Sequence, residues 1–260
     1  MVCAALDQVN LIEGDTLWAK GIFMSIAQNV GTPVPGFVPP LRPEGHVLEG
    51  RFVRLERMDA DTHAADLYRG FNGHDALWDY MPYGPFASAS AYHRWARDSA
   101  SGADPLFYVL RDRATGQCGG VASYLRAAPE AGSIEVGHIC IAPELQASPA
   151  STEAQFLLMD WAFAHGYRRY EWKCNALNLP SRRAAQRLGF SFEGIFRQHL
   201  IVKGHNRDTG WFAIIDSEWS ALREAYRVWL SPENFDGAGR QRHRLGDLTV
   251  TVRAGSDPGI

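Results

Sequence analysis

Residues 133–175 read SIEVGHICIAPELQASPASTEAQFLLMDWAFAHGYRRYEWKCN. The first ten alternate Ile134 and Val136 against Glu135 and Gly137, which predicts a strand. From 148 to 165, Ala154, Leu157, Leu158, Trp161 and Ala162 recur at i, i+3, i+4, i+7 and i+8, the stripe of a helix. Phe156, Met159 and Phe163 add a second apolar face, so this helix should be covered on most sides. Gly166 stops it, and residues 168–175 form another strand. Strand, helix and strand joined by short loops make a right-handed crossover between parallel strands. The loop entering the helix has two readings. Ser148 can cap it, with Pro149 well placed at the first helical position. The same loop leaves the end of a strand, where ligands bind in α/β units. The amides of Ala150, Ser151 and Thr152 are expected to point into that crevice and offer an anion site.

Upstream of this crossover, residues 51–58 predict a strand, 59–70 and 87–100 predict helices, and 105–112 and 118–126 are the first strands of an antiparallel meander. Downstream, a short helix over 181–188 stops at Gly189, two strands cover 190–203 and 206–215, and a helix runs over 217–229. Residues 32–45 hold five prolines. Such a stretch favours extended chain, and we expect residues 1–47 to be an extension whose proline-rich arm lies on a domain spanning 48–230. Residues 231–260, rich in glycine and polar side chains, read as a tail.

Composition sets outer limits. The chain has 260 residues, 46% of them hydrophobic, with 8 Trp, 13 Phe and 9 Tyr, enough for a large core. A formal net charge of −3 gives no electrostatic case for nucleic acid or anionic membrane. The four cysteines form no C-x-x-C pair, and buried free thiols in a reducing cytosol are expected. The N-terminus lacks the basic and apolar regions of a signal peptide, and no apolar run nears the ~20 residues that span a bilayer. A cytoplasmic protein is expected. His199 and His205 lack spaced partners, so no metal is expected.

The order of elements resembles the GNAT acetyltransferase fold, an α/β (α+β) mixed sheet with a splayed parallel strand pair and helices on both faces. The segments IEVGHICIAPELQ, STEAQFLLMDWAF and YEWKCNALNLPSRRAAQRLGFSFEGIFR resemble its RimJ/RimL-like branch. The strand–N-x-x-S–helix–LGF–x-x-EG–x-x-R pattern is the specific part. The resemblance implies an N-acyltransferase using acetyl-CoA, with the pyrophosphate on the loop at the start of the long helix and the pantetheine between the splayed strands. Carried over, the cofactor residues are His138, Ile139 and Cys140 on the strand, Gln146, Ser148, Ala150, Ser151 and Thr152 on the loop, and Asn178 and Ser181 beyond the second strand. The family's usual loop, Q/R-x-x-G-x-G/A, has lost its glycines here, and hydroxyls are expected to replace lost contacts.

Within that resemblance Glu135 is the candidate base, with pairing to Arg126 as the plain alternative. His138 is the second candidate, although alternation sets it on the opposite face with Ile134 and Val136. Many relatives carry a tyrosine as general acid where this chain has Ala185, which makes Ser181 the nearest hydroxyl to the departing sulfur; it also reads as a helix cap. Tyr83, in an aromatic cluster with Trp78, Tyr80 and Phe86, and Trp172 are assigned to the acceptor. Arg207 and Asp208 either fix their hairpin or border the acceptor pocket. The acceptor is a small-molecule or peptide amine; an acyl-CoA-binding module without turnover, a succinyl donor and an interaction protein using the arm are alternatives. Oligomeric state stays open, a dimer included.

Overall fold

The computed structural model describes residues 31–260; most of the extension expected over 1–47 lies outside them. Residues Pro39–Ile260 form one compact unit. Its strands are β1 (Leu48–Glu49), β2 (Val53–Arg57), β3 (Leu106–Asp112), β4 (Cys118–Ala128), β5 (Ser133–Ile141), β6 (Arg169–Asn175), β7 (Ser191–Val202) and β8 (His205–Ile215). Its helices are α1 (Ala60–Phe71), α2 (Ala89–Ala100), α3 (Pro149–Ala164), α4 (Leu179–Arg187), α5 (Asp216–Leu230) and α6 (Leu245–Thr249). The strands make one sheet in the order β1-β2-β3-β4-β5-β6-β8-β7. All neighbours are antiparallel except β5 and β6.

β3 shows why the sheet holds two layers of helices. Leu106, Tyr108 and Leu110 point to the side carrying α3 and α5, while Phe107 and Val109 point to the side carrying α1 and α2. A strand buried on both faces reads as a continuous apolar run. α3 has the same logic in helical form: Ala154, Leu158, Met159 and Ala162 are essentially inaccessible. Its buried Glu153 accepts from the amides of Arg51, Phe52 and Val53 at 2.9, 2.6 and 3.0 Å, which fastens α3 across the start of β2. The LGF turn needs its glycine. Gly189 sits at φ +98°, a conformation that a side chain disfavours, and a Cβ there would come within 2.6 Å of Leu222.

The last thirty residues do more than trail off. A short 3₁₀ turn, α6 and their connections fold back over α4 and α5. Asn234 bridges the Trp229 and His243 carbonyls. The buried Asp257 carboxylate pairs with the Arg182 guanidinium, one contact being 2.6 Å. Replacing Asp257 with alanine strands that guanidinium and should cost about 3 kcal/mol of stability, visible as a lower melting temperature; an unchanged melting point would make the tail a passive appendage. At the other end, Tyr167 donates to the Leu41 carbonyl at 3.1 Å, and Pro40 and Pro43 are buried.

Candidate active site

The two parallel strands pair only from Ser133–Arg169 to Val136–Trp172. Beyond that point β5 and β6 diverge. A bulge in β5 accompanies the divergence: Val121 pairs with Cys140 but Ser123 with Gly137, leaving Ala122 opposite two residues. His138 takes up the extra residue with φ +51°. This corrects the expectation from alternation. The bulge turns His138 onto the face of Glu135, where its ring stacks on Tyr83 and lies 5.2 Å from Phe107.

On the α3 side of the divergence lies a cavity of about 1120 Å³. Ile139 and Cys140 line it from β5, Gln146 from the loop, Ser151 and Thr152 from the first turn of α3, and Asn178 and Ser181 from the start of α4. Of the ten residues expected at the cofactor, seven meet at this cavity, and His138, Ser148 and Ala150 are not in its lining. The cavity also receives Arg183, Arg187, Arg240, Arg242 and Arg244, with no carboxylate in its lining. None of these arginines was singled out in the sequence. Arg187 is the most telling. It donates to the Thr152 hydroxyl at 3.2 and 3.3 Å and lies over the Trp229 ring at 5.4 Å. Burial works against its charge, and no carboxylate in contact offsets this. The Gln155 Oε1, fully buried at this wall, has no partner among the described residues. The surplus of guanidinium groups fits an anionic ligand, and the orphaned acceptor fits one that also brings a hydrogen-bond donor.

The loop departs from its expected form. Ser148 is the cap, accepting from the Ser151 amide at 3.1 Å, and the Thr152 amide bonds back to the Ser148 carbonyl at 3.3 Å. Two of the three amides expected to face a ligand are therefore committed to the helix; the Ala150 amide is not. Ala147 adopts φ +52° in the preceding turn.

Asn178, not Ser181, caps α4, its Oδ1 accepting from the Ser181 amide at 3.1 Å. The Ser181 hydroxyl is thereby free of capping and accepts from the Trp172 indole N–H at 3.1 Å. Trp172, assigned to the acceptor from the sequence, faces the cavity instead, packed on Phe190.

The opposite mouth of the divergence is polar. Glu135, 3% exposed, accepts from Lys173 Nζ at 2.8 Å and from Arg126 at 3.4 Å, so the plain alternative of pairing is present. Its Oε1 lies 3.6 Å from where a Cβ on Gly137 would stand, directed toward the divergence. Lys173 also donates to Glu171 at 2.6 Å, and Arg169 links Glu171 to Glu193. Lys173 is thus shared between two carboxylates. Burial pushes the Glu135 carboxyl up despite Lys173; at Glu171 burial acts the same way, but Arg169 and Lys173 outweigh it and the carboxyl is held low. Burial, with Arg126 and Arg207 nearby, pushes His138 down to about 4, so its imidazole is neutral at pH 7. The Tyr83 hydroxyl is kept protonated by burial and sits 3.0 Å from His138 Nδ1. When that hydroxyl donates, the ring proton is on Nε2, which makes His138 a donor toward the mouth rather than a base. The roof is the segment around Trp78, tied down by Lys203 Nζ on the Trp78 carbonyl at 2.8 Å and by the Tyr80 hydroxyl on the Leu177 carbonyl at 3.2 Å.

A sheet opened at its parallel pair, with a basic cavity behind and a carboxylate in front, defines an acyltransferase. The chain belongs to the GNAT acetyltransferase family: residues 53–191 match the model of the acetyltransferase (GNAT) domain. A GCN5-related N-acetyltransferase from Brucella melitensis is 44% identical, with a TM-score of 0.82 over 84% of this chain and all of its own. A probable acetyltransferase of the GNAT family from Chromobacterium violaceum is 38% identical, with a TM-score of 0.70 over 74% of this chain and 97% of its own. An acetyltransferase from Salmonella typhimurium that modifies the N-terminal serine of ribosomal protein L7/L12 shares the fold at 19% identity, with a TM-score of 0.56 over 65% of this chain and 99% of its own. No curated protein matches. No helix among the described residues is long and apolar enough to cross a membrane.

Proposed function

We propose that this chain transfers an acetyl group from acetyl-CoA to a primary amine by direct attack in a ternary complex. The observation that carries the reading is the end of β5–β6 pairing at Val136 and Trp172, just beyond Glu135 and beside the arginine-lined cavity. Arg187, Thr152 and the arginines of the C-terminal segment are the groups suited to the phosphates of the donor. The bulged amides of His138–Cys140 are suited to the thioester oxygen. Glu135 accepts the proton that the amine loses. The amine nitrogen bonds to the acyl carbon, the carbon–sulfur bond breaks, and its electron pair leaves with sulfur. A thiolate leaving beside Ser181 can take a hydrogen bond from its hydroxyl, backed by the partial positive charge at the start of α4. Peptide N-termini, as for the Salmonella protein, and small-molecule amines both belong to this acceptor class. The setting proposed is cytoplasmic, in keeping with free, buried Cys118, Cys140 and Cys174.

Calorimetry with coenzyme A and thiol release from acetyl-CoA over amine pools test the reading. Binding without turnover on any amine would leave an acyl-CoA-binding module; preference for succinyl-CoA would change only the donor. Ser181→Ala should lower the single-turnover rate roughly ten- to a thousandfold. It should not cost a helix cap, because Asn178 holds that role; the penalty is the buried Trp172 N–H left unpaired, about 1–3 kcal/mol. A melting shift with an unaltered chemical rate would reduce Ser181 to a partner for Trp172.

A further inference from the structure

The mouth of the divergence holds a surplus of donors. Its carboxylates are spoken for: Glu135 pairs with Lys173 and Arg126, and Glu171 with Lys173 and Arg169. Arg207, on β8, is half-buried and pairs with no carboxylate among the described residues. Its Nε donates to the buried Thr209 hydroxyl at 3.2 Å, which holds the side chain in place and leaves the two terminal nitrogens of the guanidinium unclaimed. The Thr209 hydroxyl is in turn 3.0 Å from His199 Nδ1. Beside them, Trp211 lies under Lys173 Nζ at 3.9 Å and near His199, and its buried indole N–H has no acceptor among the described residues. The Arg207 charge also acts on the buried His138 ring nearby. A buried donor without an acceptor, as at Trp211, costs free energy unless a ligand satisfies it, and the terminal nitrogens of Arg207 stand open to one. A neutral amine alone would leave all of them unmet and would add a positive charge if it arrived protonated.

We propose that this mouth is built for an acceptor that carries a carboxylate next to its primary amine, with Arg207 as the anchor for the carboxylate. A planar guanidinium suits a carboxylate bidentately, and anchoring there sets the amine toward Glu135. The chemistry has two sources, the α-carboxylate of a free amino acid and the acidic side chain at the N-terminus of a peptide. This inference rests on the amine acceptor proposed above and narrows it.

The test titrates L-alanine, L-phenylalanine and their α-amides, and the tripeptide amides Asp-Ala-Ala and Asn-Ala-Ala, into the protein saturated with coenzyme A. The same compounds then serve as acceptors in thiol release from acetyl-CoA. Heat and turnover are expected for members bearing a carboxylate, with kcat/KM at least tenfold above their neutral counterparts. Free amino acids favoured over their amides identify the first source, and Asp over Asn the second. Arg207→Gln should raise KM for the carboxylate acceptor by ten- to a hundredfold, leave KM for acetyl-CoA unchanged and erase the preference; Arg207→Lys should restore part of it. A preference equal in wild type and Arg207→Gln, turnover equal for charged and neutral acceptors, or no heat from any of them would overturn the proposal. Failure to bind coenzyme A at all would instead sink the acyltransferase reading beneath it.

Discussion

Glu135→Gln is expected to lower kcat by roughly 10²–10⁴-fold at neutral pH, the usual worth of a general base, while coenzyme A binds as before. Glutamine keeps the shape and leaves an acceptor for Lys173 but cannot take a proton. The affinity should hold because Glu135 faces the mouth and is not among the residues lining the cavity. Lys173 keeps Glu171 as a partner at 2.6 Å, so the variant should fold. Its rate should recover in part toward high pH, as free amine becomes available without help. In the wild type, burial raises the Glu135 carboxyl, so activity should fall as pH drops through that raised value and protonates it. His138→Gln is the control. When Nδ1 accepts from the Tyr83 hydroxyl, the ring has no free basic nitrogen, and the loss should be under about tenfold. The opposite pattern, with His138→Gln crippled and Glu135→Gln active, would move the proton to the imidazole.

Arg187→Glu should weaken coenzyme A binding by about 10²-fold or more, in line with the roughly 2–5 kcal/mol of losing a buried charge contact. The side chain is held at the start of α3 by Thr152 and against Trp229, within the wall of a cavity whose charge is entirely basic. A carboxylate there both removes a donor and repels phosphate. Arg227→Glu, exposed on the outer face of α5, changes net charge equally and should leave the affinity within about twofold, since exposed charges are screened. Equal losses in the two variants would mean that overall charge alone governs binding; no loss in either would place the phosphates elsewhere.

The elements that were legible from sequence are those with a strong period or punctuation. α3 was readable from its apolar stripe between Ser148–Pro149 and Gly166, and β3 from its unbroken apolar run. The crossover followed from strand, helix and strand in succession. The residues that reach the cavity were legible where they hang on those elements, as for Gln146, Asn178 and Ser181. The face of His138 was not, because alternation assumes an unbroken ladder and nothing in VGHIC marks a bulge at a residue other than glycine. The pairing of Glu135 with Lys173 depends on which strands become neighbours and in what register. Arg187, Arg240, Arg242 and Arg244 come from segments far apart in the chain, and the C-terminal ones sit in a stretch whose composition reads as tail. Its packing depends on single contacts such as Arg182–Asp257, which carry no period. The spacing that set Ser181 near a cap was off by one turn of chain: Asn178 reaches the Ser181 amide first.

The claim that the divergence of β5 and β6 joins a donor site to an acceptor site is tested most directly by one single-turnover experiment. Protein in excess over acetyl-CoA is mixed with the acceptor pool, and thiol release and N-acetyl product are followed together by mass spectrometry. The account predicts that both appear at one rate and in equal amounts, with no acetyl group left on the protein. Thiol released without an N-acetyl product, or an acetylated protein formed before the product, would contradict it.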